Sequence, residues 1–296
     1  NQTLTQNIAP YAIDYAVSEL VNDIPDILYG GYKVYLTIDL ETQEIEKKKK
    51  KKAYDEAMQR DKNIRDGSKN PDNDAFTKEL NAAMLTLESS TGRILAMVGG
   101  VDYNQSVFNR AFQSKRQAGS AIKPFLYQTA LNEGYNPASQ LFDIGRTYTY
   151  TVNGQQKKWQ PKNYGGNFQG IVSLRDSLVQ SRNLSTLNLV TDVGVNTTTD
   201  DLKRYGFKDI VDNLSVTLGS MSVNLIEFSQ AYTIFSNNGV QVKPYIVEQI
   251  VNKDGKSVTF EPQRKELNPP EQSYLITSIL KDVVTKGTGR RAAVEG

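Results

Sequence analysis

Ser120 and Lys123 are the two residues whose types and spacing most clearly allow chemistry; they lie in Arg116-Gln117-Ala118-Gly119-Ser120-Ala121-Ile122-Lys123-Pro124. Residues three apart on a helix share a face, so the lysine amine can reach the serine hydroxyl. An amine beside a serine is one of few arrangements that make a hydroxyl nucleophilic near neutral pH. A first helical turn also offers unpaired N–H groups and positive dipole potential to an oxyanion forming on the serine's substrate. The chain has no His and no Cys, which excludes Ser-His-Asp triads, Cys-His dyads and ordinary zinc sites. Nucleophilic chemistry is left to Ser or Thr with Lys, to carboxylates, or to an oxygen-ligated ion.

The quartet acquires meaning from its surroundings. A second Ser-x-x-Lys, Ser278 to Lys281, lies inside the amphipathic stretch Glu271 to Thr285, where no loop precedes the serine and Lys281 is expected on a solvated face. Before Ser120, by contrast, Gly119 permits a tight turn, and Pro124 is tolerated in a first helical turn. Phe125, Leu126 and Ala130 then anchor a helix that stops at Asn132-Glu133-Gly134. The same local pattern would also suit Ser120 as a plain N-cap.

The elements around this pair can be read coarsely. Residues 1 to about 30 read as a linker with one short helix, Tyr11 to Val21, ahead of a single domain over 31–296. Lys33 to Ile38 alternates as a strand, and Thr42 to Arg60 reads as a helix carrying six consecutive lysines, Lys47 to Lys52. That run suits a solvated helix surface with acidic neighbours Glu44, Glu46, Asp55 and Glu56; contact with an anionic lipid or polymer is the functional alternative. Asp61 to Asp74 has no apolar period and reads as a loop. Ala83 to Leu87 and Ile94 to Val98 flank a turn as a hairpin. A polar, aromatic stretch, Tyr148 to Phe168, holds the only tryptophan, Trp159. Helices are expected around Ser173 to Ser181, Ser185 to Thr191, Thr198 to Tyr205 and Ser222 to Phe235, then strands Val240 to Ile246 and Glu248 to Val251 before a turn at Asp254-Gly255.

Composition sets outer bounds. With 35 basic against 33 acidic residues the net charge is +2, so no nucleic-acid partner is indicated. No apolar run reaches membrane-spanning length, and no signal-peptide pattern opens the chain. Asn1 in place of Met points to a segment of a longer chain.

The ordered motifs resemble the transpeptidase domain of class A penicillin-binding proteins. Ala96-Met97-Val98-Gly99-Gly100, Phe108-Asn109-Arg110-Ala111 and Arg116 to Phe125 match the family's approach to its nucleophile. Trp159-Gln160-Pro161-Lys162-Asn163-Tyr164, Val172 to Arg175, Ser181-Arg182-Asn183, Leu218-Gly219 and Val283 to Gly289 follow in the family's order. Ser-x-Asn occurs at Ser68, Ser181, Ser222 and Ser236; the Ser181 copy is preferred because it follows a helix-like run and lies between the flanking motifs. The resemblance implies an α+β fold, an antiparallel sheet flanked by helices plus an all-α subdomain carrying the nucleophile helix. It implies Ser120 as nucleophile, with its backbone N–H in the oxyanion hole, and Lys123 as base. Ser181 would relay a proton, Asn183 would bind a substrate amide and orient Lys123, and Trp159, Asn163 and Tyr164 would line the substrate groove.

By the same resemblance the activity is D,D-transpeptidation of peptidoglycan stem peptides, inhibited by β-lactams and needing no cofactor or metal. The protein would lie outside the bacterial cytoplasmic membrane, held by an upstream anchor and glycosyltransferase domain, with divisome or elongasome proteins as partners. One departure stands out: the family's third motif, Lys-Thr-Gly, does not occur. The expectation is a domain that stops before that strand; a non-catalytic cell-wall scaffold is the alternative that its absence suggests. A D,D-carboxypeptidase differs only in letting water resolve the acyl-enzyme. A class A β-lactamase would need a glutamate where Arg264 stands before Leu267-Asn268.

Overall fold

The computed structural model describes residues 8–60, 80–152 and 155–293; the expected loop at Asp61 to Asp74 and the Ser68 copy of Ser-x-Asn fall outside them. The chain divides into two compact units. The first holds residues 1–115, 224–230 and 242–264, and the second 116–223, 231–241 and 265–296.

In the first unit a helix spans Pro10–Leu20, opened by its proline and burying Tyr11, Ala12, Tyr15, Ala16 and Leu20. Those positions repeat at three to four residues and so form one apolar stripe. Of these, Ala12, Tyr15, Ala16 and Leu20 pack with Ile94, Met97, Ile246, Val247 and Ile250 in a shared core. The short helix expected at Tyr11 to Val21 is thus present at Pro10–Leu20, and its stripe has a core to bury into. Strand Val247–Val251 lies between Lys33–Leu36 and Ser257–Thr259, antiparallel to both. The hairpin of Met84–Leu87 and Ile94–Val98 forms as expected.

The lysine helix, Leu40–Arg60, buries a polar face of Gln43, Glu46 and Lys50. Gln43 Nε2 donates to Met97 O at 3.1 Å, and Gln43 Oε1 accepts from Met97 N at 2.9 Å, so one side chain completes a strand edge. Lys50 departs from the solvated surface expected of its run: it is buried and its amine donates to the carbonyls of Gly100 and Val101. Lys47, Lys51 and Lys52 lie exposed in helical ion pairs with Glu44, Asp55 and Glu56.

The second unit is built round the helix Lys123–Asn132, in which every residue from Lys123 to Leu131 is buried. A helix buried on all sides needs neighbours on all sides. They are the helices Leu174–Val179, Asn183–Val193, Val195–Arg204 and Pro270–Thr285. Phe125 anchors it among Tyr205, Phe207, Tyr232 and Phe235, with ring centroids 4.9 to 5.5 Å apart. Two strand pairs have no counterpart in the sequence reading: Gln140–Asp143 with Gly170–Ser173, and Tyr148–Val152 with Gln155–Trp159. Ser222–Val223, expected as the start of a helix, pairs instead as a short strand with Arg116–Gln117, and the helix begins at Leu225.

Candidate active site

The serine turn is held from both sides. Gly119–Ile122 form a 3-10 turn that runs directly into the helix starting at Lys123, whose N–H donates to Ser120 O. Residues three apart eclipse in such a turn, which puts Ser120 and Lys123 on one side. Gly119 sits at φ +55° and Gly219 at φ +71°, a region side chains rarely adopt. Gly119 N donates to Gly219 O at 3.1 Å, and Ala118 N to Met221 O at 3.0 Å. A Cβ on Gly219 would overlap the backbone of Gly119, so the Leu218-Gly219 pair is a close-approach site that supports the turn. From the other side Tyr232 Oη donates to Ala121 O at 2.6 Å.

Ser120 is exposed whereas Lys123 is 1% exposed. The Lys123 amine donates to Ser181 O at 2.7 Å, Ser181 Oγ at 3.1 Å and Asn183 Oδ1 at 2.8 Å. Burial lowers its pKa to about 8, because an ammonium loses hydration there while its partners are neutral dipoles. Ser120 is not among its hydrogen-bond partners. Carbonyl and amide oxygens are better acceptors for an ammonium than an exposed hydroxyl, and catalytic hydrogen bonds commonly tighten only with substrate bound.

Ser181 adopts φ +52°, a position for non-glycine residues that surrounding contacts must impose. Its supports lie behind it. Arg182, 7% exposed, donates through Nε to Asp143 Oδ2 at 3.0 Å and through Nη2 to the same oxygen and to Asn167 O. Asn163 Nδ2 donates to Asp143 Oδ1 at 2.8 Å. Asn163 Oδ1 accepts from the N–H groups of Asn183 and Leu184 at 2.8 and 3.1 Å, capping from outside a helix whose own N-cap residue, Arg182, makes no side-chain capping bond. Burial would push the Asp143 carboxyl up, but hydrogen bonds from Arg182, Asn163 and Gln169 N hold it below the usual carboxylate range.

Lys123, Ser181 and Asn183 thus form one hydrogen-bonded cluster, and Ser120 stands in the 3-10 turn that leads into the lysine. Asn163, expected to line the substrate groove, is instead 5% exposed with both ends of its amide committed within the protein. Two backbone N–H groups converge on its Oδ1, so the structure gives it a positioning place. Tyr164 is fully exposed. Trp159 is half-buried against Tyr148, their ring centroids 5.6 Å apart. Together with Val195, Asp212 and Leu214 these two rings line a cavity of about 610 Å³. Sequence reasoning missed Asp143 and Tyr232. Neither lies in a motif, and a lone acid gives no signal when its arginine partner is 39 residues away.

Among the described residues the other motif copies have structural roles. Ser278 O and Oγ accept from Arg175 at 3.3 and 3.1 Å, and Lys281 is exposed as expected. Ser222 pairs in a strand, Asn224 Oδ1 accepts from Glu227 N at a helix start, and Asn238 takes φ +50° after a helix end. Gly287 packs against Val179, so the Val283 to Gly289 segment abuts the helix that leads to Ser181.

The family model described as penicillin binding protein transpeptidase domain matches residues 82–296. Penicillin-binding protein 1A of Neisseria cinerea is 32% identical over 226 residues, covering 73% of this chain and 28% of that protein. Penicillin-binding protein 1A of Pseudomonas aeruginosa is 30% identical over 264 residues, covering 71% of this chain and 32% of that protein. The chain therefore spans about a third or less of the length of these relatives. Penicillin-Binding Protein 1A from Haemophilus influenzae superposes with a TM-score of 0.83 at 24% identity, covering 97% of this chain and 61% of that one. The PonA1 protein from Mycobacterium tuberculosis in complex with penicillin V superposes at 0.71 and 19% identity, covering 93% and 71% of the two chains. Matched over most of its length by the family model, with its serine turn, buried lysine and Ser-x-Asn loop gathered in one unit, the chain belongs to the penicillin-binding protein transpeptidase domain family.

Proposed function

We propose that the protein is a D,D-transpeptidase that cross-links peptidoglycan stem peptides through an acyl-enzyme on Ser120, and that β-lactams trap the same serine. The observation that carries this reading is the desolvated Lys123 amine, held between Ser181 and Asn183 and one 3-10 turn from the exposed Ser120 hydroxyl. Neutral Lys123 removes the proton as Ser120 Oγ attacks the carbonyl between the two terminal D-alanines. A C–O bond forms, and the carbonyl oxygen gathers charge beside the N–H of Ser120 at the head of the turn. The tetrahedral centre then expels D-alanine as its C–N bond breaks. The proton held on Lys123 passes through the Ser181 hydroxyl, 3.1 Å away, to the leaving amine. An amine of a neighbouring stem peptide attacks the acyl-enzyme by the reverse path and restores Ser120.

The complex of PonA1 with penicillin V supports the β-lactam part by likeness of fold. Placement outside the cytoplasmic membrane, an anchor, a glycosyltransferase domain and divisome or elongasome partners belong to the same proposal, resting on relatives much longer than this chain. Among the described residues no helix is long and apolar enough to cross a membrane. No Lys-Thr-Gly triplet occurs in the chain, so no residue is assigned to the second oxyanion donor.

Intact-mass analysis of the full-length protein after incubation with benzylpenicillin tests the proposal. One penicilloyl mass on the peptide containing Ser120 is expected, and none on the Ser120→Ala variant. Adduct formation that survives that substitution, or no adduct on the unsubstituted full-length protein, would refute it. A non-catalytic scaffold would give the second result.

A further inference from the structure

We propose that Asp143 is a positioning residue for acyl transfer: through Arg182 and Asn163 its carboxylate sets the places of Ser181 and Asn183 around the Lys123 amine. The kinetic part rests on the acyltransferase reading above; the positional part rests on geometry alone.

Asp143 has no exposed surface and ends the strand Gln140–Asp143. Its two oxygens collect three separate stretches of chain. Oδ2 accepts from Arg182 Nε at 3.0 Å, from Arg182 Nη2, and from Gln169 N at 2.9 Å, and Oδ1 accepts from Asn163 Nδ2 at 2.8 Å. Arg182 stands between Ser181 and Asn183, so fixing its guanidinium constrains the two residues that receive the Lys123 amine. Asn163 passes the same constraint to the Asn183 N–H, at 2.8 Å.

Three considerations make this a device for geometry. A fully buried ion pair adds little net stability, because desolvating both charges offsets most of their attraction; apolar residues of similar volume often do as well. Ser181 holds φ +52°, a conformation that persists only where its surroundings over-determine it. Burial is the cause of the lowered Lys123 pKa, so Asp143 acts on that lysine by keeping its partners in place and water out.

Two readouts test this in the full-length protein: fluorescent-penicillin acylation as a function of pH, and the Lys123 titration midpoint by NMR with [6-13C]lysine. In Asp143→Asn and in Arg182→Ala, acylation is expected to fall about tenfold or more, since misplacing catalytic groups by an ångström can cost still larger factors. The Lys123 midpoint is expected to rise by about a unit as the loop admits water, carrying the rising limb of the acylation profile with it. Ethylguanidinium should restore part of the loss in Arg182→Ala and none in Asp143→Asn, which a merely structural defect would not do. A folded Asp143→Asn variant with an unmoved midpoint and acylation within about twofold of the parent overturns the proposal. Should Asp143→Asn lose its near-ultraviolet dichroism, Asn163→Ala decides the matter, because it leaves the Asp143–Arg182 ion pair and removes the side chain that ties Asp143 Oδ1 to the Asn183 and Leu184 N–H groups. A raised midpoint there supports the claim and an unchanged one refutes it. Absence of acylation in the parent protein would refute the acyltransferase reading, and the midpoint comparison would still decide the positional claim.

Discussion

Lys123 is a buried amine to which the proposed function assigns the role of base, in a chain without histidine. With a midpoint near 8, roughly a tenth of the molecules carry it neutral at pH 7, against fewer than about one in a thousand for an unperturbed lysine. The sign of the pH dependence follows. In the proposed mechanism the neutral amine is the active form and low pH protonates it, so acylation of Ser120 by a β-lactam should climb about tenfold per pH unit below the midpoint and level off above about pH 9. Stopped-flow acylation from about pH 6 to about pH 10 checks this; a flat profile, or one falling with pH, would remove Lys123 as the base. Ser120, Lys123, Ser181 and Asn183 were legible because they recur as short ordered motifs. What spacing did not reveal is how they join. The lysine bonds to residues 58 and 60 positions away, and no local pattern encodes that distance.

The serine turn and the Ser-x-Asn loop are each supported by residues from elsewhere in the chain. Gly219 is the sharpest case, combining φ +71° with the backbone of Gly119 where a side chain would stand. Gly219→Ala should therefore cost at least about 1–3 kcal/mol of stability from backbone strain. Acylation should fall more than the lost stability explains, because relief of the overlap displaces Gly119 and with it Ser120. Denaturant unfolding and acylation rates measured on one preparation test that; equal acylation with reduced stability would show that the turn tolerates the shift. The long helices were readable from apolar period and from their stops, Gly134 after Asn132 being one. The pair Gln140–Asp143 and Gly170–Ser173 was not: four residues are too few to establish alternation. The hairpin of Tyr148–Val152 and Gln155–Trp159 was hidden for another reason, since Gln155 to Lys158 are all exposed and show no apolar face.

Each of the two compact units has a core of its own, and the lysine helix shows what a sequence reading misses at this level. Six lysines in a row look alike, yet Lys50 alone among Lys47 to Lys52 is buried, its amine satisfied by two carbonyls. Lys50→Met should destabilise the first unit by about 1–3 kcal/mol through the unpaired carbonyls it leaves, while Lys48→Met should stay within about 0.5 kcal/mol. Chemical denaturation separates them; equal effects would mean that the run acts only as surface. Residues between 9 and 27 join a core for the same kind of reason: Ala12, Tyr15, Ala16 and Leu20 form a stripe, and only the presence of Ile94, Met97 and Ile250 beside it makes the stripe bury. Residue types and short-range order were enough to single out Ser120, Lys123 and the family's sequence of motifs, because side-chain chemistry and helical period are local properties. Burial, pKa and the Asp143–Arg182–Asn163 support came only from folding, because each depends on which distant segments exclude water from a side chain and which polar groups they bring to it.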